Sequence, residues 1–465
     1  MFRAVYGVVD ERYIDSVSAE QVALAALSGL ATIDPALNVA KVHHEVELDA
    51  AGRRAVSWPT PTSRDVDGWA RTSVQVWRAA REISPHLAAA PQESVYEAMF
   101  DRVAASLDAN SRYATPAEAR QNRQRRDGYY GIGISVQMAP DGPVITEVTG
   151  RSPAERAGLR VGDVLVQIDG RPVSGLSEAE LDFLLQEEVS GRLRVTVRRL
   201  GRSTLRFVVT RSYLIPDMVK ERYEDGILFL TVLHFNQDTA DHIARTLNEL
   251  MKLPTGQLRG IVMDLRGNPG GLLQQAVKVA DLFLDDGPIL ETRGRHPDSV
   301  QDYFAGGDDV SRGLPLVILI DGNTASAAEL TAAVLQDRGR AIVVGSTSYG
   351  KGTVQTVVPL PNGGEIGLTW SYAVSPTGIS LRTGGVHPRL CSVGLYVIDA
   401  DAFDKFLAKA SSAEAVMNGL GCPPERRDGP VDPAIARRLL DQPSLFASVL
   451  KPESLMAQMP PGPVP

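Results

Sequence analysis

Four near-continuous apolar runs fall between residues 226 and 345: "GILFLTVLHF", "LRGIVMDL", "LPLVILID" and "AIVVG". None alternates polar with apolar, so each is predicted to be a strand buried on both faces. The intervals between them are helical in pattern. One helix is expected from about Thr239 to Met251, a second along the stripe Leu273, Val277, Ala280 and Leu284, and a third from about Ala325 to Gln336. Buried strands joined by helices dictate a largely parallel sheet covered on both sides, so residues 212–390 are expected to form an α/β core.

The flanks differ from this core. Residues 1–127 read as mainly helical, with a capping-box pattern at Ser18 and Gln21 and a four-residue apolar stripe at Val95, Met99, Val103 and Leu107. Within them, "VHHEVELDAAGRRAVSW" alternates about Ala-Gly and predicts a hairpin. Residues 128–211 carry short β-rich runs between Gly, Pro and Asp turns, with helical pieces near Pro153–Ala157 and Ser177–Glu187. A compact mixed barrel or sandwich fits that pattern. Residues 391–465 form an extension with both cysteines, Cys391 and Cys422, and a Pro-rich end whose last residues are expected to be disordered.

Charge excludes one class of partner. The chain of 465 residues carries 48 basic and 56 acidic side chains, a net charge of −8, which gives no electrostatic basis for nucleic-acid binding. The cluster Arg120, Arg123, Arg125 and Arg126 reads as a solvated helix end. No Cys-x-x-Cys or His-Glu-x-x-His is present, and "HHE" at His43–Glu45 is a poor ligand set, since adjacent strand residues face opposite ways. No metal and no cofactor is expected. No run reaches the roughly 18–20 apolar residues of a membrane helix. The opening "MFRAVYGVVDERY" lacks the regions of a secretory signal, so the sequence as written reads as soluble, with any export signal lying outside it.

Three segments carry candidate chemistry. In "DGNTASAAEL", Ser326 is expected in the first turn of a helix, where free N–H groups and the helix dipole favour developing negative charge. The competing reading is a small residue filling a helix start, and the Gly-x-Ser-x-Gly elbow is absent. In "DLRGNPGG", Gly270 and Gly271 follow another strand, where open α/β sheets bind ligands; a simple tight turn is the alternative. In "SYGKGTVQT", Lys351 lies between glycines, and Gln355 four residues on shares its face if the segment is extended. Such a lysine is a general base only when burial keeps it neutral, and otherwise an ordinary turn residue. No histidine sits in a motif that would partner Ser326.

The order "DLRGNPGG", "NTASAAEL", "YGKGTVQ" resembles the carboxyl-terminal processing, or tail-specific, proteases. The 25-residue step from Ser326 to Lys351 and the four-residue step to Gln355 agree with that family's Ser-Lys-Gln arrangement. "YYGIGISV" and "SPAERAGLRVGDVLVQIDG" look like the PDZ domain that these proteases carry, and "SLDANSRYATPAEA" is similar to the segment preceding it. The resemblance implies a multidomain α/β serine endopeptidase: helical N-terminal region, PDZ domain, and protease core with a mainly parallel sheet. It assigns Ser326 as nucleophile, Lys351 as general base and Gln355 as its orienting partner. The oxyanion hole would be the Ala327 N–H with a glycine N–H from Gly270 or Gly271. Gly131, Ile132 and Gly133 would receive the free C-terminal carboxylate of a protein or peptide substrate. It further implies an extracytoplasmic, periplasmic location, which permits a Cys391–Cys422 bridge. The N-terminal helices are a candidate surface for a homo-oligomer, and any regulatory partner is unknown. A catalytically silent C-terminus-binding scaffold and a non-peptidase acyl hydrolase are the alternatives. The N-terminal 90 residues, "GGVHPRLC" and the cysteine-bearing tail depart from the family pattern.

Overall fold

In the strand Leu316–Ile320 every residue is buried, and alternate side chains belong to two different cores. Leu316, Ile318 and Ile320 face one core; Val317 and Leu319 face the other. The neighbouring strands divide in the same way, which is why none of them shows a polar alternation in sequence. The computed structural model describes residues 1–150, 152–186, 191–200, 204–375, 384–395, 406, 421–426 and 428–450. The Pro-rich end expected to be disordered, and Glu187 at the end of an expected helix, lie outside those residues.

The main sheet has six strands in the order Val219–Glu224, Ile227–Val232, Gly260–Asp264, Leu316–Ile320, Ala341–Gly345, Leu390–Cys391. Only the first pair is antiparallel; the other four pairings are parallel. Helices Thr239–Leu250, Leu273–Asp281 and Ala327–Asp337 supply the apolar cover of one face. The other face is covered by helices Val431–Asp441 and Pro443–Leu450, through Ile435, Leu439, Leu440, Phe446 and Val449. The C-terminal extension is thus the third layer of the core.

The chain divides into two units. The first joins residues 1–121 to 219–235 and 239–465. The N-terminal helices bury Phe2, Tyr6, Leu27, Trp69, Met99 and Phe100 in a core that also takes Ile366 and Leu368 from the strand Glu365–Val374. That strand is central in a second sheet: Thr353–Pro359 lies on one side, Pro288–Arg293 and the short strand Arg112–Ala114 on the other. The expected hairpin is a three-stranded antiparallel meander, Leu37–Val42, Glu45–Ala50 and Arg53–Pro59, with His43 and His44 in its first turn.

The second unit, residues 122–218 with 236–238, has its own core around Ile132, Ile145, Leu165, Leu181 and Val195. It holds helices Pro153–Ala157 and Glu178–Leu185, a two-stranded pairing of Tyr129–Gly131 with Ser212–Leu214, and a separate six-stranded antiparallel sheet. Strand Ile134–Gln137 is at its edge, paired on one side only among the described residues.

Cys391 and Cys422 are joined in a disulfide across 31 residues. The bridge secures the segment that follows Cys422, whose Glu425 carbonyl accepts from the Gly322 N–H at 2.7 Å and from Ser346 Oγ at 2.7 Å. Closing a loop of that length contributes about 3–4 kcal/mol on the chain-entropy model. Adding a dithiol reductant should therefore lower Tm measurably, and the native, unreduced protein should expose no alkylatable thiol. An unchanged Tm on complete reduction would show that the bridge contributes nothing to stability.

Candidate active site

Two loops leave the C-terminal edge of the parallel sheet side by side, and buried Asp321 laces them together. One of its carboxylate oxygens accepts from the N–H groups of Asn323, Thr324 and, across the gap, Gly267. Thr324 Oγ1 donates to the Leu265 carbonyl, and the Ala325 N–H to that of Asn268. The loops are thereby fixed before any ligand arrives.

Ser326 stands at their junction. It precedes the helix Ala327–Asp337 rather than sitting in its first turn, and its backbone takes φ 54° and ψ −120°. A non-glycine residue held at positive φ stores strain that the surrounding hydrogen bonds must offset. Gly270 is packed against it: a Cβ there would meet Ser326 Cβ at 2.7 Å and the Ala327 nitrogen at 2.9 Å. Only glycine fits, and its φ of 104° is one that L side chains rarely adopt. The Gly270 N–H is already bound, donating to Asn268 Oδ1 at 2.8 Å. The N–H groups of Gly271 and Ala327 have no partner among the described residues.

Glu329, fully buried, joins this turn to the lysine segment. One carboxylate oxygen accepts from the Ser326 N–H at 2.8 Å and the Lys351 N–H at 3.1 Å. The other accepts from the Gly350 N–H and Ser348 Oγ, both at 2.6 Å. A single oxygen atom therefore holds the backbones of Ser326 and Lys351, and the buried charge is met by four donors. Glu329 was not singled out in the sequence, although Ser-x-x-Glu is a capping-box signature.

Lys351 is half-buried, and its amine is pushed from 10.5 down to about 8. Burial is the main cause and the Arg112 guanidinium adds to it, while Glu329 and Asp108 oppose it. At pH 7 about one amine in ten is then neutral, against a few in ten thousand for a free lysine. Gln355 lies on the strand Thr353–Pro359, where a register shift between Val354 and Gln355 interrupts simple alternation. Its Nε2 donates to Thr353 Oγ1 at 2.9 Å and Thr369 Oγ1 at 3.4 Å.

In the second unit the Ile132 carbonyl accepts from the Ala154 N–H, and that of Gly133 from the Thr149 N–H. The N–H groups of Ile132 and Gly133 have no partner among the described residues, and both precede the open edge strand. Gly131 pairs with Ser212.

The lysine makes stability depend on pH with a definite sign. The folded state binds fewer protons than the unfolded state between about pH 8 and 10.5, so its penalty is complete below pH 8, fades across that window and is gone above it. Lys351→Met should stabilise the protein at pH 7, by up to on the order of 2–3 kcal/mol, with the advantage vanishing near pH 10.5. Denaturant melts at pH 7 and 10.5 check this; a variant less stable than the wild type at pH 7 would contradict it.

The peptidase family S41 model matches residues 226–390 and a PDZ domain model matches 144–199. A carboxy-terminal-processing protease of Bartonella bacilliformis is 35% identical over 61% of this chain and 66% of its own length, slightly under two thirds. A carboxyl-terminal-processing protease of Picosynechococcus is 30% identical over 64% of this chain and 72% of that protein. Among solved structures, the photosystem II D1 C-terminal processing protease is 24% identical, covering 79% of this chain and 92% of that one, with a TM-score of 0.37. The chain belongs to the carboxyl-terminal processing proteases of peptidase family S41, serine-type hydrolases that carry a PDZ domain.

Proposed function

We propose that the chain is an endopeptidase that takes hold of the free C-terminus of a protein or peptide and cleaves near it through a Ser326–Lys351 dyad and an acyl-enzyme. The single observation that carries this reading is the shared carboxylate oxygen of Glu329, which fixes both backbones while the lysine amine is held near 8. Neutral Lys351 takes the Ser326 hydroxyl proton as Oγ attacks the scissile carbonyl. The tetrahedral oxyanion is received by the N–H groups of Ala327 and Gly271, because the Gly270 N–H is occupied by Asn268. Gly270 serves instead as the close-packed neighbour that leaves room for the serine. The protonated lysine then returns its proton to the leaving amine, and a second cycle with water in place of serine releases the acyl group. Gln355, tied to Thr353 and Thr369, orients the amine without adding charge.

Substrate capture is assigned to Gly131, Ile132 and Gly133. The two free N–H groups meet the carboxylate, and the peptide adds to the edge strand Ile134–Gln137. A small-ester hydrolase has no use for such an edge, and a silent scaffold has none for a lysine held near neutrality. The disulfide favours an oxidising, extracytoplasmic compartment such as the periplasm. Any self-association through the N-terminal helices uses the faces left over from their own core.

Ser326→Ala should lower kcat/KM for a free-C-terminus peptide by at least about 1,000-fold while leaving peptide binding intact. Lys351→Arg should be equally inactive, since a guanidinium stays protonated and accepts no proton. For the wild type, kcat/KM should rise with pH through about 8 as the amine loses its proton, and C-terminal amidation should raise KM. Near-normal turnover by Lys351→Arg would remove the lysine from the mechanism. Equal cleavage of free and amidated peptides would remove carboxylate capture.

A further inference from the structure

The loop Asp108–Arg112 lies outside the segment matched by the S41 model, yet it touches the strand pair that follows Lys351. Asp108 organises it: one carboxylate oxygen accepts from the N–H groups of Asn110 at 2.6 Å and Ser111 at 2.8 Å, the other from Ser111 Oγ at 2.9 Å. The loop then reaches across to the second sheet. Asn110 Nδ2 donates to Thr353 Oγ1 at 3.2 Å, Thr369 Oγ1 to Asp108 Oδ1 at 3.1 Å, and the Thr369 N–H to Ser111 Oγ at 3.2 Å. Thr353 and Thr369 are the two hydroxyls that hold the Gln355 amide. Arg112, next along, pairs through its backbone with Gly367. Its exposed guanidinium has no hydrogen bond or ion pair among the described residues.

We propose that Asp108, Asn110 and Arg112 are positioning residues of the catalytic lysine, resting on the Ser326–Lys351 reading above. Asp108 and Asn110 lock the two threonines that hold Gln355, and Arg112, held by its backbone pairing with Gly367, carries a positive charge that disfavours the ammonium of Lys351. The charges around Lys351 come from three places: Arg112 on the strand Arg112–Ala114, Asp108 in the loop before it, and Glu329 on the helix after Ser326. Arg112 favours the neutral amine and the two carboxylates favour the ammonium, so the balance is set partly by this N-terminal loop.

The experiment is the pH dependence of first-turnover acylation of Ser326 by a neutral activated ester, followed as intact mass on the full chain. Arg112→Gln removes the exposed charge and should move the rising limb up by roughly half a pH unit. Asp108→Asn can keep the same bonds, with the new amide donating to Ser111 Oγ, and should move the limb down by a comparable amount. Asn110→Ala changes no charge and should lower the acylation rate several-fold without moving the limb. Thermal melts confirm that each variant is folded. Limbs for Arg112→Gln and Asp108→Asn that coincide with the wild type, or that shift in one direction, overturn the proposal. Acylation of Lys351→Ala at the wild-type rate overturns the dyad itself, and with it everything assigned to this loop.

Discussion

A carboxylate that is wholly out of water carries the arrangement of this site. An isolated buried charge costs several kcal/mol, and Glu329 is tolerated because its four donors converge from two separate stretches of chain. The dependence runs both ways. Without Glu329, the N–H groups of Ser326, Gly350 and Lys351 would be orphaned; without those groups, the carboxylate would be buried with most of its donors missing. The positive φ of Ser326 is maintained by the same set of bonds. Strain at the nucleophile and burial at the lysine, each unfavourable alone, are thus stabilised by one shared anion.

The packing of the rest serves that convergence. A parallel sheet puts all its strand C-terminal ends on one edge, so the loops at Asp264–Gly271 and Asp321–Ser326 must emerge together. Asp321 and Asn268 convert that proximity into a fixed spacing. The lysine segment leaves the adjacent strand Ala341–Gly345 and is caught by Glu329 before it enters the second sheet. The N-terminal helices pack beneath that second sheet through Ile366 and Leu368, which couples a region distant in sequence to the site.

Much of this was legible in the residues. The uninterrupted apolar runs announced strands covered on both faces, and the capping box at Ser18 and Gln21 is present as read. Of the segments the family resemblance picked out, those of Ser326 and Lys351 share the Glu329 carboxylate through their backbone N–H groups, while the Gln355 amide binds Thr353 and Thr369. What escaped were features that depend on contacts across the sequence. The strain at Ser326 has no local signature, because it is imposed by Gly270 and Glu329 rather than by its neighbours' propensities. Gly270 and Gly271 look interchangeable in a string of letters, and only the Asn268 side chain tells their N–H groups apart. A tail with few apolar runs gave no hint that Leu439 and Phe446 would roof one face of the main sheet. The amphipathic pattern was present, but its partner strands lay far upstream in the sequence.

The return of the chain at Glu425 has a consequence for when the site exists at all. Gly322, four residues before the nucleophile, and Ser346, five before the lysine, both bind the backbone of Glu425, which follows them by about a hundred and about eighty residues. Ribosomal synthesis delivers Ser326 and Lys351 long before it delivers Glu425, and a nascent chain stopped short of it leaves both turns without that partner. Contacts of such long sequence separation carry a loop-closure cost and are slow to form. The fully braced site therefore exists only once the chain has been made past Glu425, and a shorter nascent chain carries the nucleophile and the lysine without that brace.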